Sequence, residues 1–279
     1  MKSFLTDSLI AIQNYRSESP PYKELLDILE EILILRAEYR ARITEDIFCV
    51  EDRLVPFKIS GGLPLVDFSR RDINLSKSRE YFFALLKLME KRSGDEIKEI
   101  LDSLETGEID YEDLVCQSFE ADAMEAEPEE SEEDEDFFDL LGFLVEESLR
   151  PALEVLAERF DSLVKHHKWS EGFCPICGRE PKIGRLVEKE NGRMLFCNQC
   201  GYEWLYQLVK CPFCNNEDEE TLACYVVEDE ERYRVDVCNR CNRYVKTVDF
   251  RNSSKTADLD VEDIATLHLD ILANDEGYT

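Results

Sequence analysis

FCPICGREP at 173–181, GRMLFCNQCGYEW at 192–204, VKCPFCNN at 209–216 and CNRCNRYVK at 238–246 each hold one Cys-x-x-Cys pair. The pairs are Cys174/Cys177, Cys197/Cys200, Cys211/Cys214 and Cys238/Cys241, and they use eight of the eleven cysteines in the chain. Two thiolates separated by two residues grip one metal ion from a tight turn, and two such pairs complete a tetrahedral four-sulfur shell. Consecutive grouping gives Cys174, Cys177, Cys197 and Cys200 one ion, and Cys211, Cys214, Cys238 and Cys241 another. Each group closes a loop of roughly twenty residues, as in zinc ribbons and rubredoxin-like knuckles. The expectation is two mononuclear tetrahedral metal ions, iron of the rubredoxin type or zinc, because both accept four sulfurs. Either ion can serve as a structural staple, and only iron adds redox chemistry.

The rest of this region reads as short strands. Candidates fall at 181–188, 192–196, 202–210, 222–228 and 231–237. Along 202–210, Tyr202, Trp204, Tyr206 and Leu208 alternate onto one side, a stripe suited to packing against another domain. Gly178 and Gly201 follow the first two pairs. Asn242 follows the last and also tolerates positive φ. Cys224 lies within a strand without a pair partner and is expected to be a small buried apolar residue.

Upstream, the pattern is helical. Residues 22–43 carry Leu25, Ile28, Leu29, Ile32, Leu33 and Leu35 on a broad apolar stripe, just after Pro20 and Pro21. Residues 56–68, PFKISGGLPLVDF, read as a loop. Helices are expected at 77–92 and 94–106. A longer one is expected from about Phe137 to His167, bent or broken near Pro151. Its second half places Leu153, Leu156, Ala157, Phe160, Leu163 and Val164 on one face. His166 and His167 sit at its end and read as solvent-facing, since both four-cysteine sets are already complete. Residues 258–278 form an amphipathic pattern, with Asp258 or Asp260 as cap and Ile264, Leu267, Ile271 and Leu272 as its apolar face. His268 lies beside that face.

The fold class is therefore α+β: an all-helical N-terminal domain, two tandem four-cysteine modules of the rubredoxin-like or zinc-ribbon kind, and a C-terminal helix. The expected boundaries are 1–170 for the helical domain, 171–208 and 209–252 for the two modules, and 258–276 for the closing helix. Residues 125–139 hold ten acidic side chains out of fifteen. An acidic flexible segment at about 120–136 is expected there, because like charges repel one another and solvate well.

Composition narrows the function classes. The formal net charge is −30, whereas nucleic-acid binders use a basic face to neutralise phosphates. Even between Cys174 and Cys241 there are nine Lys and Arg against thirteen Asp and Glu. There is no run of eighteen apolar residues, and MKSFLTDSLIAIQNYRSE lacks the apolar core of a secretory signal. Unpaired thiols suit a reducing compartment, so a cytoplasmic location is expected. No nucleophile–base arrangement, HExxH motif or phosphate loop is present, so the chain is expected not to be an enzyme.

The four cysteine-bearing segments quoted above, together with DIATLHLDILANDEGY at 263–278, resemble the FdhE family of formate dehydrogenase accessory proteins in order, spacing and flanks. LILRAEYR at 33–40 and GGLPLVDFSRRDI at 61–73 resemble the family's helical part more loosely, and the acidic stretch looks like an insertion. The resemblance implies a cytoplasmic maturation factor or chaperone that binds the catalytic subunit of formate dehydrogenase. A rubredoxin-like electron carrier or redox sensor is an alternative that requires iron. A zinc-ribbon nucleic-acid-binding protein is another, and it requires a basic surface.

Overall fold

Leu153, Leu156, Ala157, Phe160 and Val164 all lie buried along one helix, α7 (Glu135–His167), which forms the axis of the helical part. The computed structural model describes residues 2–18, 22–44, 47–68, 73–120, 135–188, 192–227, 231–253 and 256–279. Most of the acidic stretch, from 125 to 134, lies outside these residues, and positions 135–139 open α7. Helices α1 (Lys2–Glu18), α2 (Lys23–Arg40), α3 (Val55–Ser60), α4 (Ser76–Met89), α5 (Gly94–Thr106) and α6 (Tyr111–Glu120) precede it. Of these, α2, α3, α4 and α6 pack directly on α7.

Three local expectations change. Pro151 does not break α7, which runs through it as one helix. Proline removes one N–H and crowds the preceding turn, but Leu149, Ala152 and Leu153 are buried around it and their packing keeps the helix continuous. The 56–68 loop begins as a helix: Pro56 stands in the first turn of α3, where its missing N–H leaves no bond unmade. On α2 the buried residues are Leu26, Ile32, Leu33 and Arg36, while Leu25 is exposed. α2 is wedged between the main core and a smaller one formed with α1, so its buried surface is wider than one stripe.

The two cysteine-rich modules share one sheet. Its order is β3-β2-β1-β6-β5-β4, with β1 Ile183–Leu186, β2 Gly192–Phe196, β3 Glu203–Gln207, β4 Leu222–Val226, β5 Tyr233–Cys238 and β6 Arg243–Val248. All neighbours are antiparallel except β1 and β6, which run parallel with Ile183 opposite Lys246. That parallel seam fuses the modules. Leu195, Trp204, Tyr206 and Val245 from one sheet face join the helical core. Ile183, Phe196, Val235, Val237 and Val248 on the other face are covered from the C-terminal end of the chain by Leu259, Leu269, Ala273 and Tyr278.

The C-terminal helix is two helices, α8 (Leu259–Ala265) and α9 (Leu267–Asp275). Asp258 caps α8 by accepting from Val261 N–H. The interruption at Thr266, which is fully buried, resets the helical phase, so the buried face is Leu259, Val261, Ala265, Leu269 and Ala273. Ile271 and Leu272, expected inside, are exposed. Lys246 is only 1 % exposed and fixes both helices, with Nζ at 2.6 Å from Asp263 and 2.7 Å from Asp270. His268 stacks on Tyr22.

Glu262 on α8 ties α1 to the sheet. Tyr15 Oη donates to both its carboxylate oxygens, at 2.8 and 2.7 Å, and Tyr233 Oη donates to one. Burial pushes its pKa up from 4.5 to about 7 against the pull of those two hydroxyls, with Asp258 adding to the rise and Arg232 opposing it. Between these two values the folded state holds a proton that the unfolded chain has already lost. The stabilisation is complete below about pH 4.5 and fades as pH rises through 7. Relative to the wild type, Glu262→Gln is therefore expected to gain stability with rising pH, by about 3 kcal/mol between pH 4.5 and 8. Urea unfolding at both ends of that range measures it, and a difference independent of pH would refute the assignment.

Candidate metal centres

The four Cys-x-x-Cys turns share one backbone device. Gly178, Gly201, Asn215 and Asn242, each immediately after a second cysteine, all have positive φ, between 55° and 84°. Each donates its N–H to the carbonyl of the first cysteine in its pair, at 2.8–3.1 Å. Only glycine, and less readily asparagine, adopts this conformation at low cost. The turn closes the knuckle and brings both sulfurs to one side.

The eight sulfurs gather as the spacing predicts. Cys174, Cys177, Cys197 and Cys200 form one group and Cys211, Cys214, Cys238 and Cys241 the other, with all sulfurs in a group within 4.8 Å of one another. The Cys174–Cys200 and Cys177–Cys197 separations are 3.4 Å, and Cys211–Cys241 and Cys214–Cys238 are 3.7 Å. A tetrahedral four-sulfur shell with metal–sulfur bonds near 2.3 Å has edges of about 3.8 Å, whereas a disulfide is about 2.05 Å. Each group could hold one metal ion.

Electrostatics point the same way. Burial pushes Cys174 and Cys200 well above the usual thiol range. Cys197 is also buried, but hydrogen bonds from Cys174, Cys177 and Cys200 hold it well below that range. In the second group, burial of Cys238 is outweighed by the N–H groups of Cys241 and Arg240 and by the Asn216 amide, which bring it down to about 7. Burial raises Cys211 and Cys241. One thiolate per group, Cys197 or Cys238, forms readily, and the raised thiols Cys174, Cys200, Cys211 and Cys241 lose their protons more easily around a cation.

The surroundings of the two groups differ. All four cysteines of the first are buried in the helical core. Leu65 and Val66 donate backbone N–H groups to Pro175 and Ile176 carbonyls at 2.9 Å, so the GGLPLV segment pairs directly with the first knuckle. Gln199 Nε2 donates to Glu146 O, and Arg150 Nη1 donates to Asn198 O. Arg150 also contacts Glu154 and Asp260, and beside it Arg36 makes a two-pronged bond to Glu147 at 2.7 Å on each prong. Tyr81 Oη donates to the same Glu147 carboxylate. This buried charge network seats the second knuckle on α7, and composition alone gave no sign of it.

The second group is more open: Cys214 and Cys241 are half-buried. Asn216, itself buried, donates from Nδ2 to Cys238 Sγ at 3.6 Å, and the Arg243 guanidinium lies 3.8 Å over the Phe213 ring. Sequence reasoning did not single out Asn216, which stands two residues after Cys214 in the CPFCNN segment. Of the other cysteines, Cys116 is partly buried and Cys49 is exposed. Cys224 is exposed as well, contrary to the buried position expected, because β4 is an outer strand with little packed over it. His166 is exposed and His167 half-buried at the end of α7.

A helical domain packed on one sheet that carries two four-cysteine groups defines an α+β protein with two candidate metal centres. The family model described as "FdhE, C-terminal domain" matches residues 209–279. A Protein FdhE homolog from Aquifex aeolicus is 24 % identical over 266 residues, 94 % of this chain and 88 % of that protein. One from Shewanella baltica is 31 % identical over 111 residues, 39 % of this chain and 36 % of that protein. The crystal structure of the FdhE protein from Pseudomonas aeruginosa matches the fold with a TM-score of 0.63, covering 100 % of this chain and 94 % of that one at 18 % identity. Residues 209–279 therefore match the FdhE C-terminal domain, and the chain is similar to an FdhE homolog over nearly its whole length.

Gly172 marks where the two centres meet. A Cβ there would stand 1.9 Å from the carbonyl oxygen of Pro212, the residue after Cys211. Gly172→Ala must push the Cys211–Cys214 knuckle away from the Cys174–Cys177 knuckle. We expect a loss of about 3 kcal/mol, the upper end of overpacking costs, measured by denaturant unfolding of the full chain. A loss below about 0.5 kcal/mol, the range of neutral surface changes, would show that the knuckles move apart freely.

Proposed function

We propose that this protein is a cytoplasmic accessory factor that binds the catalytic subunit of formate dehydrogenase during its maturation and catalyses no reaction of its own. The observation that carries this reading is the pair of four-cysteine groups on one sheet, anchored to a helical domain, in a chain aligned over 94 % of its length with an FdhE homolog. The working division is a helical unit at 1–170, cysteine modules at 171–208 and 209–252, and a closing helical segment at 258–276.

In this reading Cys174, Cys177, Cys197 and Cys200 hold one metal ion, and Cys211, Cys214, Cys238 and Cys241 hold the second. The first would act as an internal staple, since its ligands belong to the core. Zinc in both sites would be structural. Iron in the second, with Cys214 and Cys241 half-buried, favours the second reading, a redox carrier or sensor, because electrons can reach a partly exposed sulfur. A nucleic-acid role is disfavoured by the net charge of −30.

Anaerobic purification is expected to yield about two metal ions per chain, with Cys174→Ser and Cys211→Ser each losing about one. A chelator is expected to strip the second site before the first. The catalytic subunit is expected to co-purify with the wild-type chain and to be lost from both variants. Retention of the subunit by both metal-depleted variants would separate the metals from client binding. Absence of the subunit from the wild type would end the accessory reading.

A further inference from the structure

β4 is the outermost strand of the sheet, and among the described residues only β5 pairs with it. The phase of its outward hydrogen-bonding groups is fixed by one bond. Asn239 N–H donates to Thr221 O at 2.9 Å, so Thr221 and Asn239 are a hydrogen-bonded pair. Along an antiparallel ladder such pairs alternate with unbonded ones, and the register continues without a bulge through Ala223–Val237 and Tyr225–Val235. Ala223 and Tyr225 therefore bond to β5, while Leu222, Cys224 and Val226 turn their N–H and C=O groups outward.

This edge has none of the usual blocks. Natural outer strands carry lysine, proline or a bulge to prevent further pairing, yet β4 reads Leu-Ala-Cys-Tyr-Val, with Tyr225 49 % and Val226 64 % exposed. Leu222 and Cys224 line a cavity of about 350 Å³ over the sheet face inside the edge, together with Val209, Phe213, Val245 and the basic Arg234 and Arg243. Strand addition uses such a pocket to select alternate side chains, while the backbone supplies affinity.

The charge around the edge selects the occupant. Asp218, Glu219 and Glu220, after the Lys210-paired Glu217, lead into β4 at one end, and Glu231 stands at the other beside Arg232 and the start of β5; all four of these acids are exposed. We propose that β4 is the docking edge for an extended segment of a partner protein, apolar at alternate positions and basic at both ends, which joins the sheet as an added strand. The proposal rests on the reading of the protein as a client-binding accessory factor. A second copy of the chain is a poorer occupant, because an antiparallel pair of β4 edges would set Glu219 and Glu220 of one copy against Glu231 of the other.

The test uses the full metal-loaded chain and two synthetic nine-residue peptides, Lys-Lys-Val-Thr-Val-Thr-Val-Lys-Lys and its analogue with Glu at all four Lys positions. We expect saturable binding of the lysine peptide, at least tenfold weaker binding of the glutamate peptide, weakening with salt, and new exchange protection at the Leu222, Cys224 and Val226 amides. Cys224→Pro removes one outward N–H and leaves the β4–β5 bonds intact; it should weaken the lysine peptide at least tenfold while the Ala223 and Tyr225 amides stay protected. If those amides lose protection, Glu219→Lys with Glu220→Lys carries the test and must weaken the lysine peptide tenfold. Equal binding of both peptides, equal binding by wild type and variants, no binding, or protection that appears only on self-association would each overturn the proposal. Full retention of the formate dehydrogenase catalytic subunit by Cys224→Pro would overturn the docking edge while leaving the accessory reading standing. Failure of the wild type to retain that subunit would instead remove the accessory reading.

Discussion

Arg36 and Arg150 carry two positive charges into an interior where each is about 95 % buried. A charge in that position costs several kcal/mol unless it is met by opposite charge and hydrogen-bond acceptors. Those partners come from everywhere in the fold: Glu147 and Glu154 on α7, Asp260 on α8 and the Asn198 carbonyl in the second knuckle. The network is complete only when α2, α7, α8 and the first four-cysteine module are all in place. It therefore selects one docking of these parts over other arrangements that would bury similar apolar area.

The two four-cysteine groups play unequal parts in this frame. The first is interior, clasped by the GGLPLV segment, by Gln199 and by the aromatic strand through Trp204, whose indole N–H donates to Glu171 O. The second sits at the open end of the same sheet, with two half-buried sulfurs and a cavity alongside. The parallel β1–β6 seam makes the two ends mechanically one object.

Much of this was legible in the residues, and the legible parts are local. A Cys-x-x-Cys spacing dictates a turn, and a glycine or asparagine after it dictates the handedness of that turn. The 3.6-residue period of Leu153 to Val164 and the alternation of Trp204 and Tyr206 state which side chains turn inward, because neighbours along a helix or strand fix one another's direction. The C-terminal helical face was misread for the same reason: one buried threonine, whose hydroxyl donates to Glu262 O, shifts the phase that a single uninterrupted helix would have kept. Cys224 was misread because an outer strand and an inner strand have the same alternation.

The sequence by itself determined the eight candidate ligands, their grouping into two sets, the helical core and the α+β class, since each follows from spacing over a few residues. Tertiary structure alone decided that the two modules share one sheet, that Arg36, Arg150 and Lys246 are interior, that one cysteine set is sealed and the other open, and that β4 lies at the edge. These features depend on pairings between residues far apart in the chain, such as Arg185 with Val248 and Arg36 with Glu147. No short-range periodicity encodes them. They are settled when the chain finds the one packing in which every buried charge meets its partner.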